Sequence, residues 1–197
     1  MLNDRYRGAL LGLSLADADA ARLLLDRAAL VLEREMIEPG GGPETAGLLA
    51  LWLADDPARA ARQAGELAED APVYRAVALV MLAALGGTPP DELQIEPAAI
   101  PTEAGAALDL ALLTIAATPS FEAGLTRLQA EPAVTLYGLL AGAVWGESGL
   151  PTNALARLPV RAEAVAIAGE LFERAWAHRP EDSPDVVCEH CQAANGS

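Results

Sequence analysis

Glycine recurs at every fourth residue in two parts of this chain: Gly8 and Gly12 near the start, and Gly138, Gly142 and Gly146 in the second half. Positions four apart share one face of a helix, and a glycine inside a helix costs about 1 kcal/mol relative to alanine. A row of them on an apolar helix marks a face where another backbone approaches closely, since side chains there would hold it off. Such a chain is constrained to helices packed at short range.

The rest of the sequence supplies those helices. Apolar periodicity predicts one over Arg5 to Leu15 and a longer one over Ala20 to Glu38, stopped by Pro39-Gly40-Gly41-Gly42-Pro43. Glu44 to Ala54 reads as a helix apolar nearly all round. Asp56-Pro57, a cap followed by proline at the first helical position, opens an amphipathic helix over Ala58 to Glu69. Further helices are predicted over Val73 to Leu85, Thr102 to Ala117, Phe121 to Ala130, Pro132 to Glu147 and Val160 to His178. The proline-rich residues 88–101 read as an ordered loop, and 149–159 as a turn with a short helical piece. No fixed-period repeat is present, which argues against a solenoid. The expectation is an all-α, compact multi-helix globule: one domain over 1–178 and a polar, proline-containing mobile tail over 179–197.

Composition agrees. The chain is 52% hydrophobic but only 4% aromatic, with alanine and leucine dominant, which suits helix packing and not a large sheet. Every apolar run is broken well short of a spanning length, and residues 1–16 lack a signal-peptide pattern, so a cytoplasmic location with no membrane partner is expected. A net charge of −15 with no basic stripe disfavours nucleic acid as a partner.

Arg5-Tyr6-Arg7-Gly8-Ala9-Leu10-Leu11-Gly12-Leu13-Ser14-Leu15-Ala16-Asp17-Ala18 resembles the opening of the ADP-ribosylglycohydrolases, an arginine with glycines four apart and then Gly-Asp-Ala; here Ala16 replaces the last glycine. Leu136-Tyr137-Gly138-Leu139-Leu140-Ala141-Gly142-Ala143-Val144-Trp145-Gly146 resembles the family's late glycine-spaced helix. Gly149-Leu150-Pro151 and Leu155-Ala156-Arg157-Leu158-Pro159 keep its sequel, and Pro119 to Leu125 looks like the helix entry before it. Asp70 to Leu79 is similar to an Asn-Gly-x-x-Met-Arg segment of which Arg75 alone survives among the polar residues. The matches keep the family's order over most of residues 5–175, in a chain shorter than typical members. The resemblance implies the family's helical fold.

It also implies a binuclear Mg²⁺ or Mn²⁺ site, because two hard cations need several carboxylate ligands around them. The family draws these from a Thr-Asp-Asp-Thr motif and an Asp-x-Asp-Thr motif. Here the first falls on Gly42-Pro43-Glu44-Thr45-Ala46 and the second on Gln129-Ala130-Glu131-Pro132. Two closely spaced cations would be poorly neutralised by what remains, so no cofactor is expected. The expectation is an ADP-ribosylglycohydrolase-like pseudoenzyme that keeps a cleft for a nucleotide-like small molecule or a protein partner.

The site candidates are Asp17, Glu44 and Glu131, with Thr45 and Arg75 as ligand contacts; residual metal ligation would fall to Glu44, Thr45 and Glu131. Each has a structural alternative. Glu44 and Glu131 sit at helix starts, where the macrodipole favours a carboxylate; Asp17 can cap the following helix; Arg75 can be a buried ion-pair partner or a phosphate contact. Two rival functions remain: an active hydrolase with a reduced Mg²⁺ or Mn²⁺ site, or a structural module whose cleft is filled by Leu48, Trp52 or Tyr137. Cys188, His190 and Cys191 could offer three Zn²⁺ ligands, but no second pair completes a tetrahedral set; a local disulfide or free thiols are the alternatives.

Overall fold

The computed structural model describes residues 2–93, 101–128 and 131–176. The expectations for Gln129 and Ala130, the middle of the 88–101 loop, and the tail with Cys188, His190 and Cys191 lie outside these residues. Ten α-helices make up the described chain: α1 (Leu2–Ala16), α2 (Ala18–Arg34), α3 (Glu44–Trp52), α4 (Pro57–Ala64), α5 (Ala71–Gly86), α6 (Glu103–Ala117), α7 (Phe121–Leu128), α8 (Val134–Trp145), α9 (Thr152–Leu155) and α10 (Arg161–Trp176). Short 3-10 turns at Pro90–Glu92 and Glu147–Gly149 complete it, and no strand occurs among the described residues. The fold is the all-α multi-helix globule expected.

The two glycine faces meet each other. Helices α1 and α8 form the most intimate pair, and their glycines interleave: a Cβ on Gly8 or Gly142 would overlap the other's carbonyl oxygen, and one on Gly138 would lie 2.8 Å from the Gly12 carbonyl oxygen. Helix α8 is surrounded, with every residue from Leu136 to Ala143 buried. Helix α1 also packs on α2, α5 and α10, and α3 on α4, α5 and α10. Tyr6 meets Phe172 edge-on at a centroid distance of 5.4 Å, tying α1 to α10.

Two predicted helices end early. Helix α2 stops at Arg34 because Glu35 turns left-handed (φ 55°) and its N–H closes the last turn on the Val31 carbonyl. Helix α4 stops at Ala64, and Gly65 lies against the Arg75 guanidinium, 2.9 Å from its Cζ to the position a Cβ would take. Arg5 donates to the Ala84 carbonyl, placing positive charge at the carbonyl end of α5. No helix of the described chain is long and apolar enough to cross a membrane.

Candidate functional site

Asp17 is the single non-helical residue between α1 and α2, and both its carboxylate oxygens are engaged. Oδ1 accepts from the Ala20 N–H at 3.0 Å, capping α2, and Oδ2 accepts from the Thr135 hydroxyl at 2.7 Å. The cap fastens the start of α2 to the first turn of α8.

The loop before α3 is pinned from three sides. Gly40 and Gly41 take positive φ values of 100° and 89°, which suit glycine. The Gly40 N–H donates to the Leu67 carbonyl at 3.1 Å, Arg27 donates to the Gly40 carbonyl at 2.9 Å, and the Tyr74 hydroxyl donates to the Gly41 carbonyl at 2.6 Å. Burial and the neighbouring Glu44 and Asp70 charges raise the Tyr74 pKa, with Arg27 pulling the other way. Glu44, the first residue of α3, bends back so that Oε1 accepts from the Gly42 N–H at 3.1 Å. Thr45 is fully buried, and its hydroxyl, without a hydrogen-bond partner, faces Gly41.

The starts of α2, α3, α6 and α8 converge on one open cleft of about 430 Å³. Helix α2 contributes Ala20; the α3 start contributes Pro43 and Glu44; α6 contributes Glu103, Ala104 and Ala107; and α8 with its lead-in contributes Pro132, Thr135 and Leu136. Three segments singled out by sequence, around residues 17, 44 and 131, therefore adjoin the same space. Glu44 lines it directly. Asp17 reaches it through Thr135, and Glu131 is exposed immediately before Pro132.

Two of the candidates lie away from this cleft. Thr45 does not line the cleft, because the tight turn at Gly41 encloses its side chain. Arg75 is neither buried nor at the cleft: it is exposed on α5 and lies over Gly65, where the missing side chain leaves room. Two residues of the cleft escaped the sequence reading. Thr135 lies in the first turn of an otherwise apolar helix, and its value comes from Asp17, 118 positions away. Glu103 follows Thr102, whose hydroxyl accepts from the Gly105 N–H at 3.1 Å, a capping pattern that points only to a helix start.

The donor set does not fit two divalent cations. One carboxylate cradles its own loop, another holds a cap and a threonine hydroxyl, and among the described residues no three His, Cys, Asp or Glu side chains gather closely enough to hold a metal. Nor, among the described residues, does any arginine line the cleft. Comparisons with models of protein families, with curated proteins and with solved structures found no match.

Proposed function

We propose that the chain is a degenerate, ADP-ribosylglycohydrolase-like pseudoenzyme that binds a small molecule in this cleft without the family's two-metal hydrolysis. One observation carries the reading: Glu44 and the segment from Pro132 to Leu136 line one cleft that Asp17 reaches through Thr135, while the Asp17 carboxylate is taken up by the Ala20 N–H and the Thr135 hydroxyl and Glu44 Oε1 by the Gly42 N–H. In a metal-dependent hydrolase those oxygens would face the cations. The site instead uses them to hold the start of α2 and the loop before α3, so the cleft's shape is kept and its charge chemistry is not.

The open cleft favours ligand binding over a filled structural module. Leu48 and Tyr137 sit in the core, where the Tyr137 hydroxyl donates to the Phe121 carbonyl at 2.8 Å, and Trp52 lines a different pocket. At about 430 Å³ the space is within the usual size of a small-molecule site. An ADP-ribose titration followed by amide chemical shifts tests the binding, with Thr135 and Leu136 expected to respond. Chromatography of ADP-ribosylated arginine or serine with Mg²⁺ tests the chemistry. No release of ADP-ribose is expected; turnover by the parent that Glu44→Gln and Glu131→Gln both abolish would establish a hydrolase with a reduced site and overturn the proposal.

A further inference from the structure

A second pocket, of about 240 Å³, shares no lining residue with the cleft and lies between the end of α2, α3 and α4. Its chemistry is mixed in an ordered way. Ile37, Trp52 and Leu67 give it an apolar wall, while Arg59 brings a cation and Glu35 and Glu66 bring carboxylates to the same pocket. Among the described residues Arg59 and Glu66 make no ion pair, and the Glu35–Arg174 pair is loose, at 3.8 Å with Glu35 79% exposed. The charges are thus available to something other than each other.

Glu35 adds an independent sign. It occupies the left-handed position that ends α2, where glycine or asparagine is the ordinary choice. A glutamate there costs stability, and it sets Glu35 at the rim of the pocket, with its exposed carboxylate 3.8 Å from Arg174.

We propose that this pocket binds a free α-amino acid with a large aliphatic side chain. Arg59 takes the carboxylate as a two-pronged donor, Glu35 and Glu66 take the ammonium, and the side chain lies against Trp52, Ile37 and Leu67. The volume supports an occupant smaller than a nucleotide, since drug-sized ligands occupy about 300–1,000 Å³. A phosphate ester would meet the carboxylates of Glu35 and Glu66 beside Arg59, and a purely apolar ligand would leave these exposed charges unused.

L-leucine titrated into the ¹⁵N-labelled full chain tests the assignment, read from the Trp52 indole and the Ile37 and Leu67 amides. Saturable shifts at these three positions are expected. L-leucinamide, which lacks the carboxylate, and N-acetyl-L-leucine, which lacks the ammonium, should each bind at least about tenfold more weakly. Arg59→Gln should weaken L-leucine by a similar factor and leave leucinamide nearly unchanged, because the group Arg59 serves is already gone. Glu35→Gly should raise the melting temperature while weakening L-leucine, which separates a binding role from a folding role. The absence of shifts up to the solubility of L-leucine, or an Arg59→Gln variant that binds it as the parent does, would overturn the proposal. N-acetyl-L-leucine binding as tightly as L-leucine would also overturn it, assigning the pocket to the carboxyl end of a peptide.

Discussion

A single methyl group at Gly142 tests the packing on which the whole arrangement rests. In Gly142→Ala the new Cβ would sit 2.8 Å from the Gly8 carbonyl carbon and closer still to its oxygen. Carbon atoms pack at about 3.5–4.0 Å, so α1 and α8 must separate by roughly 1 Å, and both obstacles are backbone that cannot rotate away. A gap of about 0.5–1 Å already forfeits a quarter to a half of each dispersion contact it opens, and overpacking of this kind costs about 1–3 kcal/mol. Taking the upper end and subtracting the gain in helix propensity of about 1 kcal/mol leaves a net loss of about 2 kcal/mol. For a chain of this size that is a fall of about 4–8 °C in melting temperature. Gly169→Ala supplies the contrast: nothing lies within 4 Å of its Cβ position in α10, so only the propensity gain remains and the melting temperature should rise by about 2–4 °C. Far-UV circular dichroism through thermal and urea transitions measures both. The Gly8→Ala, Gly142→Ala double variant should lose less than the sum of the two, because the first methyl has already moved the helices apart. If Gly142→Ala proves as stabilising as Gly169→Ala, the close approach of α1 and α8 is refuted.

Asp17→Ala should cost about 2–3 kcal/mol in urea denaturation, because it removes a cap and the Thr135 hydroxyl's partner together; Asp17→Asn, which preserves the cap, should cost under about 1 kcal/mol. Alkaline pH should destabilise the fold. Burial pushes the Tyr137 phenol up to about 12, against the opposing Thr118 hydroxyl, and Tyr6 and Tyr74 are raised as well. Stability is therefore full below the unfolded value near 10 and falls by about 1.4 kcal/mol per pH unit for Tyr137 from there towards 12. Melting temperatures from pH 8 to 11.5 check this, and Tyr137→Phe should decline less steeply than the parent; a flat parent profile would contradict the burial argument.

Helices were legible in the sequence because caps and breakers are local. Asp56-Pro57 and Thr102 mark helix starts by chemistry that acts within one turn, and the structure uses both as caps. The glycine faces were legible as close-approach surfaces, but their partner was not, since a spacing of four says nothing about which backbone comes near. The early end of α2 was hidden for a similar reason: the apolar pattern continues through Met36 and Ile37 while the chain turns at Glu35, a residue with no intrinsic preference for a left-handed conformation. At the cleft, Glu44 and Asp17 could be picked out by the motif positions that the family resemblance gives them, since their residue types alone point to a helix start and a cap. Thr135 could not, because a threonine in the first turn of a helix carries no signal until Asp17 is placed beside it. Arg75 misled for the opposite reason, since whether an arginine on an apolar helix is buried depends on the neighbour, and Gly65 provides a shallow surface and no buried anion.

The reading of the cleft stands or falls on its cation chemistry. Anomalous scattering from a crystal soaked in millimolar Mn²⁺, with a calorimetric titration of the same protein, addresses it without reference to any substrate. With Asp17 held by Ala20 and Thr135, and Glu44 held by Gly42, the expected result is no pair of ions in the cleft and no saturable two-ion uptake. Two well-occupied ions about 3.5–4 Å apart beside Glu44 and Asp17 would contradict it.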